Sequence, residues 1–230
     1  MGDATDSDHS SNMDSATRSL KKYEAEALPV KSVQGSREPM ELYSPFGPYI
    51  AKTRLSSLLV EDINRFVDKE LQRAGVRGAE FILPQELVEA GGTESLSHQL
   101  ADNIIAYVEA SESSRVASVT IEAIWVVNQP EASASPVHFH SADISGVFYL
   151  KVPEVDVREE QRNYISGRRA GYLNLLSGGK QALNKSLISF KPVVEDMYIF
   201  PGWLLHGVEP FCGTGERRSL AFNANIELHS

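Results

Sequence analysis

Apolar residues follow two different periods along the chain, and the change falls near residue 115. Before it, Leu59, Ile63, Phe66, Val67 and Leu71 recur at helical spacing and run out at Gly75, a residue suited to the left-handed position that closes a helix. A second amphipathic stretch carries Leu96, Leu100, Ile104, Tyr107 and Val108, with Ser95 placed to cap it. Ahead of both, ELYSPFGPYIAKTRL turns apolar and predicts entry as a strand. Residues 1–40 are rich in Ser, Asp, Glu and Lys. They offer too little apolar surface to offset chain entropy, so a disordered polar tail is expected.

After residue 115 the helical period disappears. VASVTIEAIWVVNQP, ISGVFYLKVP, AGYLNLL, LISFKPV, DMYIFPGWLLHGV and RRSLAFNANIEL follow as short apolar runs divided by Gly, Pro or charge. Strand after strand with turn punctuation and no helix between them predicts an all-β barrel or jelly roll. The expected organisation is mainly β: one domain over 41–230, with a helical flank at 41–115 and a jelly-roll core at 116–230. The charged stretch from Glu154 to Arg169, with Arg158, Arg162, Arg168 and Arg169, is expected as a long loop or short helix over the barrel mouth.

Composition narrows the class. The formal charge is -9, with 22 Lys plus Arg against 31 Asp plus Glu, so a phosphate backbone is repelled and general nucleic-acid binding is not expected. No apolar run has the length of a membrane span, and the N-terminus is too polar for a signal peptide. A single cysteine, Cys212, excludes a disulfide framework. A cytoplasmic protein is expected, with its oligomeric state open.

Chemistry concentrates in three places. Of six histidines, His9, His98 and His229 sit in polar surroundings and are expected to be solvated. His138 and His140, in VHFHSADISG, end one strand and project from one side if the chain is extended. His206, in FPGWLLHGV, lies at another strand-to-turn junction, and a barrel can bring the two strand ends together around one metal. In GERRSLAFN, alternation places Arg217, Ser219, Ala221 and Asn223 on one face and Arg218, Leu220 and Phe222 on the other. Arg217, entering the barrel beside small polar groups, needs an anionic partner, and its planar fork suits a carboxylate. Arg218 better fits an exposed salt bridge. Phe200 and Trp203 are expected to pack.

HFHSADISGVFYLKVP, IFPGWLLHGVEPF and GERRSLAFN together resemble the signature segments of the 2-oxoglutarate/Fe(II)-dependent oxygenase superfamily, a double-stranded β-helix fold, over residues 117–228. Within it they most resemble a group of small bacterial and phage-type members. The resemblance implies Fe(II), 2-oxoglutarate as cosubstrate and O2, and hydroxylation of an unactivated C–H of a small-molecule or peptidyl substrate with release of succinate and CO2. It assigns His138 and His206 to iron, and Arg217, Ser219 and Tyr149 to the far carboxylate of 2-oxoglutarate.

The third ligand departs from the family pattern, which has a carboxylate where His140 stands. His140 completes a three-histidine face by strand geometry; Asp143, just past the turn, is the alternative and would restore the carboxylate. Two other functions compete. One is a cupin-like three-histidine iron dioxygenase that does not use 2-oxoglutarate, which has no need of Arg217 at this spacing. The other is a non-catalytic jelly-roll module holding a metal such as zinc.

Overall fold

The computed structural model describes residues 31–34, 39–44, 47–112, 114–155, 170–179 and 185–229. Strands β1 (Lys31–Gln34), β2 (Pro39–Tyr43) and β3 (Ile50–Arg54) lead into helix α1 (Ser57–Ala74), strand β4 (Ala79–Ile82), the short helix α2 (Gln85–Glu89) and helix α3 (Leu96–Glu112). The chain then runs through β5 (Val116–Pro130), β6 (Ser135–His138), β7 (Ile144–Lys151), β8 (Glu154–Val155), β9 (Leu173–Leu176) and β10 (Leu187–Phe190). It finishes with β11 (Asp196–Pro201), β12 (Leu205–Val208), β13 (Gly213–Thr214) and β14 (Glu216–Leu228). Part of the expected tail is therefore strand, at 31–34 and 39–40; the rest of it lies outside the described residues. So do 156–169, which include the four arginines of the expected mouth loop.

An eight-stranded sheet, ordered β1-β2-β3-β11-β7-β14-β5-β4, faces a four-stranded sheet ordered β10-β9-β12-β6. Every pairing is antiparallel. This is the double-stranded β-helix, mainly β with flanking helices. Among the described residues, no helix is long and apolar enough to cross a membrane.

Alternation along β14 explains the layers. Leu220, Phe222 and Ala224 are fully buried in a core with Val60, Ile63 and Val67 of α1 and Leu100, Ile104 and Val108 of α3. The helices thus cover the outer face of the large sheet, each buried aliphatic side chain contributing about 1.5–3 kcal/mol of transfer free energy. The other face of β14 looks between the sheets. There Ile50, Tyr149, Leu173, Leu175, Tyr198, Phe200 and Leu204 form a second core. Local signals set the helix ends: Ser56, not singled out in the sequence, accepts from the Leu59 N–H (3.5 Å), and Ser95 accepts from the His98 N–H (3.3 Å) as expected. Gly75 closes α1 at φ 66°, with Val76 N–H returning to the Leu71 carbonyl.

Two expectations fail here. Arg218 is not an exposed surface arginine; it is 0 % exposed, because α1 lies across it. Its guanidinium donates to Asn128 Oδ1 (2.7 Å), Asn64 Oδ1 (2.9 Å), Asp68 Oδ1 (2.7 Å) and Glu216 Oε1 (2.8 Å), a set of partners that makes burial of the charge tolerable. Trp203 does not pack, being 57 % exposed. It stands at the turn where DMYIFPGWLLHGV breaks into β11 and β12, one in each sheet, and the outer side of that crossing has nothing to cover it among the described residues. Phe200 does pack, with 1 % exposed.

Candidate metal and carboxylate site

The crossing from β11 to β12 carries His206 into the small sheet, where β12 pairs with β6 and sets His206 opposite His138. His140 follows two residues after β6. The imidazole centroids of His138 and His206 lie 4.3 Å apart, those of His138 and His140 5.0 Å, and those of His140 and His206 5.1 Å. One ring nitrogen from each falls within 4.8 Å of the other two. This is the only such cluster of His, Cys, Asp or Glu among the described residues. His98 and His229 are exposed, as expected.

Backbone carbonyls orient two of the rings. His138 Nδ1 lies 2.7 Å from the Pro136 carbonyl and His206 Nδ1 lies 2.8 Å from that of Leu204. A carbonyl only accepts, so each Nδ1 carries the proton and each Nε2 is left with its lone pair, the arrangement that prepares a histidine for a metal. Burial pushes the His206 pKa down to about 4; the Leu204 carbonyl opposes this, and the neighbouring His138 and His140 reinforce it. His140 is also lowered, by burial and then by His138. Near neutrality these two rings are therefore uncharged donors.

Asp143 is held away from the cluster. Its Oδ2 accepts the Ile226 N–H (3.1 Å), and its own N–H donates to Asn225 Oδ1 (3.1 Å), which fastens the segment after His140 to β14. Gly202 fastens the same segment to the β11–β12 turn. His140 N–H donates to the Gly202 carbonyl (2.9 Å), and Gly202 N–H donates to the Asp143 carbonyl (2.9 Å). A Cβ at Gly202 would collide with the carbonyl oxygen of Ala142, so this close approach requires glycine.

Arg217, Ser219 and Tyr149 share the inner face of the large sheet. Ser219 pairs with Tyr149 of β7, and Arg217 pairs with Gln129 of β5. Arg217 is 2 % exposed, yet its Nε and Nη1 have no hydrogen-bond partner, and neither do the Tyr149 hydroxyl and Gln129 Oε1. Burial lowers the Arg217 pKa to about 10, with Tyr149 opposing. It raises Tyr149 to about 12, against the pull of Arg217 and with Asp196 adding to the rise. A buried cation and a buried hydroxyl donor, both unsatisfied, are costly unless a ligand completes them. A carboxylate offers the charge and the acceptor lone pairs that both lack, so these residues fit 2-oxoglutarate.

Two contributors, Gln129 and Trp125, carried no motif, and a third, Phe200, was expected only to pack. Gln129 sits beside Arg217 only through the β5–β14 register. Trp125 stands edge-on to His140, ring centroids 5.9 Å apart. Phe200 meets His206 at 4.9 Å, closing the apolar floor beneath the histidines. Alternation along VASVTIEAIWVVNQP puts Trp125 and Gln129 on one face, the signal by which the sequence could have found both.

Residues 123–223 match a family described as "Putative 2OG-Fe(II) oxygenase". Among solved structures, HygX from Streptomyces hygroscopicus, with nickel and 2-oxoglutarate bound, superposes with a TM-score of 0.52 at 11% identity, over 76% of this chain and 82% of that one. SnoK, a non-haem alpha-ketoglutarate-dependent carbocyclase from nogalamycin biosynthesis, gives 0.51 at 10% identity over 77% and 79%. AviO1 from Streptomyces viridochromogenes Tue57 gives 0.50 at 13% over 76% and 89%. At these identities the structural likeness is one of fold. No functionally curated protein matches the chain in sequence.

Proposed function

We propose that this chain, whose residues 123–223 match a 2-oxoglutarate/iron(II) oxygenase family, is a dioxygenase hydroxylating a C–H bond of a small-molecule or peptidyl substrate. In this reading His138, His140 and His206 hold iron(II), and Arg217, Ser219 and Tyr149 hold the far carboxylate of 2-oxoglutarate. Iron, 2-oxoglutarate and dioxygen together supply the oxidation, with succinate and CO2 released.

The observation that carries the reading is the orphaned pair of Arg217 nitrogens beside the orphaned Tyr149 hydroxyl, between the same two sheets as the three histidines. A structural arginine finds partners, as Arg218 does; Arg217 is left with two unpartnered nitrogens, the charge and hydrogen-bond complement of a carboxylate. The protein's part is positional. The Pro136 and Leu204 carbonyls hold two rings with Nε2 free, and Gly202 holds the His140 segment. Arg217 fixes the orientation of the cosubstrate, while Phe200, Leu175 and Leu204 keep water from the floor. A three-histidine face also suits a cupin-like iron dioxygenase, but such an enzyme leaves Arg217 and Tyr149 without a purpose.

The test is an anaerobic titration with iron(II) and then 2-oxoglutarate, read by the weak visible charge-transfer band of the chelate. The band is expected in the wild type and lost in His138→Ala and His206→Ala. His140→Ala is expected to lose iron affinity far more than Asp143→Ala. Absence of the band in the wild type refutes the assignment, and a larger loss in Asp143→Ala transfers the third ligand to the aspartate.

A further inference from the structure

Trp125, which stands against His140 on one side, is also part of the wall of a cavity of about 600 Å³, within the range of roughly 300–1,000 Å³ usual for small-molecule sites. The cavity exists because β4 is short. It pairs with β5 only from Trp125 to Asn128, so the edge of β5 beyond that point is uncovered by β4. There β5 carries a bulge, with Glu122 the extra residue between Ile121 and Ala123, whose partners on β14 are consecutive; bulges of this kind re-aim side chains beside functional sites. The walls are largely apolar, with Phe81, Ile82, Val88 and Ile121 joining Trp125. Ile82 is 84 % exposed, an aliphatic side chain left bare at the cavity.

The polar part of the lining has one sign. Glu80, Glu89 and Glu122 all border the cavity, and none is in an ion pair among the described residues. Glu89 only accepts from the Ser97 hydroxyl (3.0 Å), and Glu122 from the Asn225 amide (2.5 Å). Carboxylates beside low-dielectric walls attract a cation more strongly than they would in open water. The whole chain carries a formal charge of -9, which works in the same direction. A dicarboxylate such as 2-oxoglutarate is repelled here, so this is not a second cosubstrate pocket.

We propose that this cavity binds a small organic cation, an ammonium or guanidinium on an apolar chain or ring, in a site that Trp125 separates from the histidine centre. Cation binding is measured with neither iron nor 2-oxoglutarate present.

The chain has two tryptophans, so Trp203→Phe identifies the indole N–H resonance of Trp125 in a proton–nitrogen correlation spectrum. Titration with hexylammonium is expected to move that resonance saturably, hexanol to bind about tenfold more weakly, and hexanoate not at all. The double variant Glu80→Gln/Glu122→Gln should weaken hexylammonium by about tenfold. Gln85→Arg, an exposed change on the cavity lining, should abolish binding by placing a cation among the carboxylates. Circular-dichroism melts of each variant confirm that it is folded. Equal binding of hexanol and hexylammonium, no response of Trp125 to either, or unchanged binding in folded variants overturns the proposal.

Discussion

The adjacent arginines of GERRS make opposite predictions, and a pair of substitutions separates them. In Arg218→Met the guanidinium loses hydrogen bonds to Asn128, Asn64, Asp68 and Glu216. Charge-assisted bonds are individually worth about 1.5–3 kcal/mol, but the sum is discounted. The Asp68 side chain is 53 % exposed, and Lys151 still reaches both carboxylates at 2.9 and 3.0 Å. A net loss of about 2–4 kcal/mol remains, and at ~2–4 °C per kcal/mol for a chain of this size the melting temperature falls by roughly 4–16 °C. Arg217→Met removes instead a buried cation with two unpartnered nitrogens. The metal-free protein should keep its stability or gain about 1–3 kcal/mol, while 2-oxoglutarate affinity drops by at least about 100-fold. Calorimetric melts of both variants, with the visible titration for 2-oxoglutarate, read the two effects separately.

Acid sharpens the contrast. Burial by itself raises the Asp68 and Glu216 pKa values, but hydrogen bonds from Lys151 with Arg218 or Asn128, and the two nearby cations, outweigh it and hold both below their ordinary range. A depressed carboxylate contributes stability that is present above its unfolded pKa and lost as pH falls through the folded one. The wild type should therefore lose stability below about pH 4.5, and Arg218→Met should lose less of it there. Equal destabilisation by the two arginine variants, or equal loss of 2-oxoglutarate binding, would refute this division of labour.

Two further outcomes follow from the histidine centre. Gly202→Ala drives a methyl group into the Ala142 carbonyl; at a cost of about 1–3 kcal/mol it should shift the melt by a few degrees yet weaken iron binding at least about tenfold, and a metal titration showing wild-type affinity would remove Gly202 from the support of His140. His206 has a folded pKa of about 4 against an ordinary 6.5, so the unfolded chain takes up its proton first; the metal-free protein should hold its stability above about pH 6.5 and lose part of it between there and about pH 4, a limb that urea titrations should find missing in His206→Ala.

Much of this protein is legible in one dimension, because short-range physics carries it. A period of two on the strands after residue 115 and a helical period before it follow from side-chain direction alone, so the β core, the end of α1 at Gly75 and the start of α3 at Ser95 emerge without a structure. Alternation likewise separates Arg217 from Arg218. It cannot say what covers each face, and there the tertiary structure decides. Arg218 is buried because α1, more than 140 residues earlier in the chain, lies across β14. Trp203 is bare because DMYIFPGWLLHGV changes sheets at Gly202. The same crossing sets His206 against His138, and the capture of Asp143 by Ile226 leaves His140 nearest the centre. Strand β4 had no strong pattern in the sequence, being four residues long, yet where it stops determines the cavity beside Trp125. Periodicity is a property of neighbours along the chain; register, sheet crossing and docking are contacts between distant segments, and only packing chooses among them.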